Sequence, residues 1–352
     1  MKKMKQFIAT LLLLTFVLTS AVGCGSANST VKTTNNAGNS KNEKNSDISS
    51  DLKTIRLGVL SASSLAWFAQ IGDEQGIYKK HGLNVVTSEF AAGIDSVDQL
   101  VSGQLDVGFV ADFAGINRIG ATSDKTDLRF FSSFSKSGAW TLYVNPDEIK
   151  TLSDLKGKGV IVSLGTFIEY LNGRTFEKAG ITKDDVELLP IEAPTDVIAL
   201  AKSGAASAFW TTGETAKKLA DDYGWVPFAT QADIGVNTNT MYMANNDYIT
   251  NNNDTIKSFI EANDEIFEYV KNNKDEAVKF IASKNNAEES YISLSIDSAT
   301  YSTTLDKEVY DGLDEVNAWC FKNGFYKNKF NLADFINTDA LAEIDPNKAS
   351  WK

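Results

Sequence analysis

The run of residues 55–110 decides the fold, because short apolar segments alternate there with longer amphipathic ones. The segments are, in order, residues 55–60 (IRLGVL), 65–79 (LAWFAQIGDEQGIYK), 83–87 (LNVVT), 96–101 (SVDQLV) and 106–110 (DVGFV). The first, third and fifth are typical of strands, and the other two are typical of helices. This alternation predicts right-handed βαβ units, with helices on both faces of a parallel sheet.

A second series of the same kind begins near Thr151. Its predicted strands are residues 159–163, 186–189 and 206–210, and its predicted helices are residues 167–178, 196–202 and 214–221. Both series contain a Ser-Gly step at a helix end, at Ser102-Gly103 and at Ser203-Gly204. Glycine suits the left-handed residue that closes a helix, so two lobes of similar construction are predicted.

Strand-like runs at residues 140–144 and 240–244 flank the second series, and the chain beyond them is mostly helical in pattern. We therefore predict a discontinuous arrangement. Lobe 1 comprises residues 54–140 and 241–352, and lobe 2 comprises residues 141–240. Two strands are expected to cross between the lobes, near residues 137–144 and 236–244.

The first 23 residues have the three parts of a secretory signal peptide. Lys2, Lys3 and Lys5 give a positive start, residues 7–17 are apolar, and small residues precede Cys24. The apolar part is too short for a spanning helix. Small residues before a cysteine resemble a bacterial lipobox, in which the thiol is acylated, although Ala21 departs from that pattern. An ordinary signal peptide with an incidental cysteine is the alternative.

Residues 24–53 are predicted to be a lipid anchor followed by a flexible tether. The segment is rich in Ser, Asn, Lys and Thr and has almost no large apolar side chain, so it cannot offset the entropy cost of ordering. This arrangement predicts a secreted protein, lipid-anchored at the outer face of the bacterial cytoplasmic membrane. In a Gram-negative cell it would face the periplasm.

Composition excludes several classes of protein. The length of 352 residues suggests two domains, although one large domain is possible, and a hydrophobic share of 43% is enough for real cores. Its net charge of −12 argues against a nucleic-acid partner, since phosphate binding needs basic patches. The same charge argues against docking on anionic lipid, which leaves membrane attachment to the anchor.

Catalytic and metal-binding groups are scarce. The chain has two cysteines, Cys24 and Cys320, and one histidine, His81, which we assign to a surface turn. If Cys24 carries lipid, Cys320 has no partner for a disulfide, and a buried thiol is its expected state. No phosphate-binding loop or dinucleotide fingerprint is present. We therefore predict a binding protein with no catalytic residue, no metal and no cofactor.

Four motifs, in order and at their spacing, resemble one family. They are residues 68–85 (FAQIGDEQGIYKKHGLNV), 102–108 (SGQLDVG), 152–158 (LSDLKGK) and 179–186 (AGITKDDV). The chain from about residue 54 to 281 resembles the NMT1/THI5-like solute-binding proteins for nitrate, sulfonates, taurine and thiamine-pyrimidine precursors. The resemblance implies an α/β, two-lobed periplasmic-binding-protein fold (type II-like). Each lobe would hold a mixed, mostly parallel sheet flanked by helices.

The resemblance also implies the partners, which are a small-molecule ligand and an ABC importer permease, with the protein itself a monomer. The chain departs from the family at several points. Ser207 replaces the usual aspartate of lobe 2, and no proline follows the aromatic residue in Trp210-Thr211-Thr212. Ser61–Ser64 stand where pyrimidine binders have a histidine-containing loop, and the cysteine cluster of the related pyrimidine synthases is absent.

The ligand site is expected in the loops beyond the carboxyl ends of the strands. The residues that we predict to contact the ligand are Ser63, Ser64, Trp67, Asp112, Trp140, Gly165, Thr166, Phe167 and Trp210. In the loop at Gly165, backbone N–H groups at a helix start could hold an anion. Aromatic rings would supply contact area.

Each of these assignments has a structural alternative. Thr166 and Asp112 could be plain helix caps, and each tryptophan could belong to the core. Glu169, one turn beyond Gly165, is expected to face solvent.

Three functions are compatible with the sequence. The first is a transport receptor for a small organic solute, with a sulfonate or taurine-like anion or zwitterion favoured and a pyrimidine thiamine precursor or other nitrogen-rich ring as the alternative. The second is an enzyme on the same fold, and the third is a structural surface lipoprotein.

Overall fold

The computed structural model describes residues 52–352, so the predicted signal peptide, Cys24 and nearly all of the tether lie outside the described residues. The strands are β1 (Lys53–Leu60), β2 (Leu83–Phe90), β3 (Gly108–Ala111), β4 (Leu128–Ser137), β5 (Thr141–Val144), β6 (Gly159–Val162), β7 (Glu187–Pro190), β8 (Ala208–Thr211), β9 (Val226–Thr230), β10 (Thr238–Asn245) and β11 (Ala299–Tyr301).

The helices begin at the carboxyl ends of several strands and dominate the last third of the chain. They are α1 (Ser64–Glu74), α2 (Ile77–Lys80), α3 (Gly93–Val101), α4 (Asp112–Thr122), α5 (Phe167–Ala179), α6 (Pro194–Ser203), α7 (Gly213–Tyr223), α8 (Asn246–Asn251), α9 (Asn253–Asn272), α10 (Lys274–Asn285), α11 (Glu289–Asp297), α12 (Lys307–Lys322) and α13 (Asp339–Ile344). Within residues 52–352, no helix is both long enough and apolar enough to cross a bilayer.

The strands form mixed sheets, which confirms the predicted α/β class. One sheet has the order β11-β4-β10-β3, and β1 pairs with β2 and touches β3 through Leu57 and Val107. The other sheet has the order β7-β6-β8-β5-β9. The pairs β1–β2, β6–β7 and β6–β8 are parallel and the other strand pairs are antiparallel, a larger antiparallel share than "mostly parallel" implies. The cause lies largely in β10 and β5, each of which is inserted antiparallel between two other strands.

The chain passes between the two sheets in short connections. Residues 138–140 join β4 to β5, and residues 231–237 join β9 to β10, and neither connection is a strand. The first connection lies inside the predicted crossing at residues 137–144, whereas the second lies mostly before the predicted crossing at residues 236–244. Each strand belongs to one sheet only, so no strand crosses between the sheets. All strands of the second sheet lie within residues 141–230, which supports the two-lobe arrangement that we continue to propose.

The helix predicted at residues 65–79 is in fact two helices. Gly76 has φ +66°, a left-handed conformation that ends α1 and allows α2 to start in a new direction. The turn after α2 brings Nε2 of His81 to 2.9 Å from a carboxylate oxygen of Glu265 in α9. His81 is therefore a packing contact between two elements rather than a plain surface turn residue.

Strand β4 was not predicted, and its serines explain why. Its sequence, LRFFSSFSKS, has a polar run that is typical of a loop, yet Ser132, Ser133 and Ser135 are all buried. Ser132 donates to the carbonyl of Thr303 at 2.9 Å, and Ser133 donates to the carbonyl of Ser302 at 2.6 Å. Hydrogen bonding to the segment before α12 makes burial of these hydroxyls tolerable.

Aromatic side chains fill the space between β4 and the helices on one face of its sheet. Phe134 of β4 packs edge-on against Phe68 of α1 and Phe267 of α9, with ring centroids 5.9 and 5.5 Å apart. Tyr301 of β11 completes this group. Because Phe134 faces these helices, the serines on either side of it face the opposite side of the sheet.

Candidate functional site

The loop after β1 holds the first group of predicted ligand residues. The hydroxyl of Ser63 donates to the carbonyl of Leu60 at 2.7 Å and so closes the turn into α1, whose first residue is Ser64. Trp67 is only 1% exposed, and its indole N–H has no hydrogen-bond partner among the described residues. Its ring meets Tyr291 of α11 edge-on at 6.0 Å.

Tyr291 also reaches the loop after β8 in the other sheet. A Cβ atom placed on Gly213 would lie 2.9 Å from its ring. Gly213 has φ +60°, so this loop uses glycine both for its conformation and for the close approach. The start of α1, after β1, and the start of α7, after β8, therefore both contact Tyr291, a residue that the sequence did not identify.

The predicted anion loop after β6 is already satisfied by the protein itself. The amide of Gly165 donates to Oε2 of Glu169 at 2.7 Å. The hydroxyl of Thr166 donates to the carbonyl of Ser163 at 2.7 Å and accepts from the amide of Ile168 at 3.3 Å. Thr166 is thus the N-cap of α5, which is the structural alternative that we gave to a ligand contact.

Glu169 does not face solvent as expected. Its half-buried carboxylate occupies the position beside the Gly165 amide where we had placed a ligand anion. Burial raises the pKa of Glu169, while the Gly165 hydrogen bond and the nearby Lys183 act in the opposite direction. A ligand anion would have to displace this carboxylate or bind elsewhere.

Asp112 is buried at the start of α4, where it is 1% exposed. One carboxylate oxygen accepts from the amide of Phe113 and the other from the amide of Asn239, each at 2.8 Å. Burial raises the pKa of Asp112 to about 7, although both hydrogen bonds act to lower it. Asp112 therefore ties α4 to β10, beside the connection between the sheets.

The tryptophans differ in their surroundings. Trp210 is fully buried and its indole N–H donates to Thr175 of α5 at 3.0 Å, so it presents no surface to a cleft and is removed from the candidate site. Trp140 is half-buried in the connection of residues 138–140, and its ring meets Phe167 at 6.2 Å. Trp140 and Phe167 are thus the two predicted aromatic residues that the structure brings together.

A cavity of about 450 Å³ lies where the chain passes between the sheets, and we call it the crossover cavity. It is lined by the end of β4, residues 235–239, the segment before α12, the first turns of α12, and Tyr170 of α5. Its volume is within the range of small-molecule sites, and its walls come from elements attached to both sheets. Asn239, whose amide binds Asp112, is part of the wall.

Hydroxyl and amide groups dominate the crossover cavity. Ser135 is 8% exposed and its hydroxyl forms no hydrogen bond with a described residue, whereas the hydroxyl of Ser133 is already bonded. The Nδ2 atom of Asn239 would lie 3.1 Å from a Cβ placed on Gly312, so this side chain closely approaches α12. Ser135 and Asn239 thus supply hydrogen-bonding groups to the cavity lining.

Most charged groups around the crossover cavity have a partner of opposite charge. Lys136 bonds to Glu308, Glu315 bonds to Arg174 at 2.6 Å, and Asp311 bonds to Lys307 at 2.7 Å. Asp306 accepts from the amide of Val309 at 3.0 Å as the N-cap of α12 and has no ion-pair partner among the described residues. The cavity therefore offers polar, weakly acidic surroundings.

This cavity was not identified from the sequence, because its lining residues form no recognisable motif. The serines of β4 read as loop residues, and Asn237 and Asn239 lie in a predicted crossing with no motif of their own. Among residues 52–352, no group of three histidine, cysteine or acidic side chains is arranged to hold a metal ion.

A family model described as "NMT1/THI5 like" matches residues 68–277. Curated proteins from Brucella abortus and Brucella suis, each named a binding protein, are 26% identical over 232 residues. The match covers 65% of this chain and 70% of theirs.

Solved structures share the fold at low identity. The aliphatic sulphonate binding protein SsuA from Escherichia coli is 20% identical with a TM-score of 0.69, over 81% of this chain and 97% of that one. The alkanesulfonate-binding protein SsuA from Xanthomonas axonopodis, bound to MOPS, is 16% identical with the same TM-score, over 81% and 98%. The desulfurization enzyme DSZB is 15% identical with a TM-score of 0.61, over 83% and 98%.

Proposed function

The chain belongs to the NMT1/THI5-like family, and from this premise we propose that it is an extracytoplasmic receptor that delivers a small organic solute to an ABC importer. The observation that carries the proposal is the crossover cavity. It combines a ligand-sized volume with free polar groups at the place where two sheets are connected. The binding proteins among the curated relatives and the solved neighbours support the same function.

The ligand that we favour is a sulfonate or a taurine-like zwitterion. The named specificities of the SsuA proteins support this choice. The hydroxyl of Ser135 and the amide of Asn239 could donate to sulfonate oxygens. A neutral, nitrogen-rich ring such as a pyrimidine thiamine precursor is the second candidate, because the paired charges around the cavity leave no free cation at its wall.

We further propose that the protein acts as a monomer and is held at the membrane by a lipid on Cys24. An enzymatic function is the distant alternative. The likeness to DSZB is one of fold.

A thermal-shift screen of alkanesulfonates, taurine and aminopyrimidines tests the proposal. A ligand at 100 times its dissociation constant should stabilise the protein by about 2.7 kcal/mol. Calorimetry should then show weaker binding to Ser135→Ala, while Ser88→Ala, an exposed serine of β2, should bind as wild type does. If every ligand leaves the melting temperature unchanged, the receptor function is wrong. If Ser135→Ala binds normally, the site lies elsewhere.

A further inference from the structure

A second cavity, of about 440 Å³, lies between α5, β7 and the end of α12, and we call it the α5–α12 cavity. Side chains from both helices and from the edge strand β7 line it, and apolar residues alternate with polar and charged ones. The apolar residues that line it are Val162, Phe176, Ile181, Leu188, Trp319 and Phe325. It has the size of a small-molecule site, and it shares no lining residue with the crossover cavity.

Close helix packing forms the inner end of this cavity. A Cβ atom on Gly173 of α5 would lie 2.3 Å from the ring of Trp319, so glycine is required for α12 to approach this closely. Lys322 of α12 bonds to Glu177 of α5 at 2.9 Å on the outer side. The packing of Trp319 on Gly173 and the ion pair between Lys322 and Glu177 therefore both fix the spacing of α5 and α12 beside the cavity.

Two polar groups in the wall have no partner among the described residues. Asn172 is 2% exposed, and its Nδ2 donates to the carbonyl of Ile161 at 3.0 Å, which leaves Oδ1 as an unpaired acceptor. Trp319 is 8% exposed, and its indole N–H is an unpaired donor. An unpaired buried polar group costs free energy, but both atoms have almost no accessible surface, so a ligand meets them only if their side chains shift.

Glu169 adds a third polar group, one helical turn before Asn172. Only Oε2 of its carboxylate is hydrogen-bonded, to the amide of Gly165, which leaves Oε1 as an acceptor. Lys183 and Asp184 stand exposed at the rim with opposite charges, and Glu177 is neutralised by Lys322. The interior therefore presents one accessible acceptor from α5, and this acceptor is an acid.

We propose that the α5–α12 cavity is a second ligand site, which binds a small apolar amine. The ring or branched alkyl body lies against Phe176, Leu188 and Phe325. The ammonium group donates to the carboxylate of Glu169, on the face of α5 that lines the cavity. The proposal does not depend on the identity of the transported solute.

Benzylamine is the probe, with benzyl alcohol and benzoate as comparators of the same shape. We expect the intact protein to bind benzylamine more tightly than benzyl alcohol and not to bind benzoate. The indole N–H resonance of Trp319, assigned with Trp319→Phe, should shift on binding. Glu169→Gln keeps an acceptor for Gly165 but loses the charge, so it should weaken benzylamine at least about tenfold and leave benzyl alcohol unchanged.

Two kinds of variant serve as controls. Glu187→Gln removes an exposed charge from β7 outside the cavity and should bind benzylamine as wild type does. Leu188→Trp and Ile181→Phe fill the cavity and should abolish benzylamine binding, provided that their melting temperatures stay near that of wild type. If Leu188→Trp fails to fold, Ile181→Phe alone decides the outcome.

Three results would overturn the proposal. They are no benzylamine binding at millimolar concentration, equal binding to the filled variants, and equal binding of benzoate. The receptor function is judged separately, because Ser135→Ala should leave benzylamine binding unchanged and the filled variants should still bind the transported solute.

Discussion

The side-chain oxygen of Gln231 accepts the backbone N–H of Trp140 at 2.9 Å, which joins the two connections between the sheets. The amide of Gln231 donates to the carbonyl of Trp140 at 3.3 Å, and its Nε2 donates to the hydroxyl of Thr238 at 2.9 Å. Gln231 has no exposed surface. One buried side chain thus holds residues 138–140 beside the start of β10.

Gln231→Ala should lower the free energy of unfolding by about 2–4 kcal/mol, because two buried groups lose their partner at once. Chemical denaturation measures this loss. Gln104→Ala, an exposed glutamine, is the control and should change stability by less than about 0.5 kcal/mol. Equal stability of the two variants would show that the Gln231 contacts contribute nothing.

Thr166→Ala should destabilise the protein by about 1 kcal/mol through loss of the N-cap of α5. The matched control is Thr212→Ala, because Thr212 is the N-cap of α7 but its side chain makes no capping hydrogen bond. Thermal and chemical unfolding of both variants provide the comparison. If Thr166→Ala also abolished solute binding while remaining folded, the loop after β6 would return to the candidate site.

Trp210→Phe should lower stability by about 1–3 kcal/mol, since the variant loses the hydrogen bond to Thr175 and leaves unfilled volume. Solute affinity, measured by calorimetry on the folded fraction, should remain that of wild type. A large loss of affinity with little loss of stability would contradict the assignment of Trp210 to the core.

Asp112 should make stability depend on pH. The pKa of Asp112 is about 7 in the folded protein, above its value in the unfolded chain. The stabilisation that its proton provides is therefore complete below the unfolded pKa and is lost as the pH rises through 7. The free energy of unfolding of the wild-type protein should therefore decrease by roughly 1–3 kcal/mol from pH 5 to pH 8, since one pKa unit is worth about 1.4 kcal/mol.

Asp112→Asn is the control for this effect, because it cannot ionise. Its stability should change less than that of wild type between the same two pH values. Parallel pH profiles for the two proteins would show that Asp112 does not titrate in this range.

Cys24→Ser should yield a protein without lipid whose folded part is unchanged. Intact-mass analysis of membrane-extracted wild type should show added acyl mass on a chain that begins at residue 24. Recovery of the wild-type chain as a secreted protein without acyl mass would contradict the predicted lipid anchor.

The elements that the sequence predicted correctly are those whose apolar residues recur at a regular strand or helix spacing. The strand predicted at residues 55–60 lies within β1, and the strand predicted at residues 159–163 covers β6 and extends one residue beyond it. We did not predict β4, whose serines are buried only because the distant segment before α12 accepts their hydrogen bonds. We also placed a ligand anion beside Gly165, because a periodic pattern cannot show that Glu169 turns back onto that amide.

The contacts of α12 have a mechanical consequence. Trp319 of this helix packs on Tyr170 of α5, with ring centroids 4.9 Å apart, and on Phe113 of α4 at 6.2 Å. The backbone connects the sheets twice, and the rings around Trp319 join them again at a point remote along the chain from both connections, beside the ion pairs Arg174–Glu315 and Lys322–Glu177. Rotation of one sheet relative to the other must therefore break these ring contacts or slide one ring over another. Opening the protein costs the packing of Trp319 as well as any contacts with a ligand.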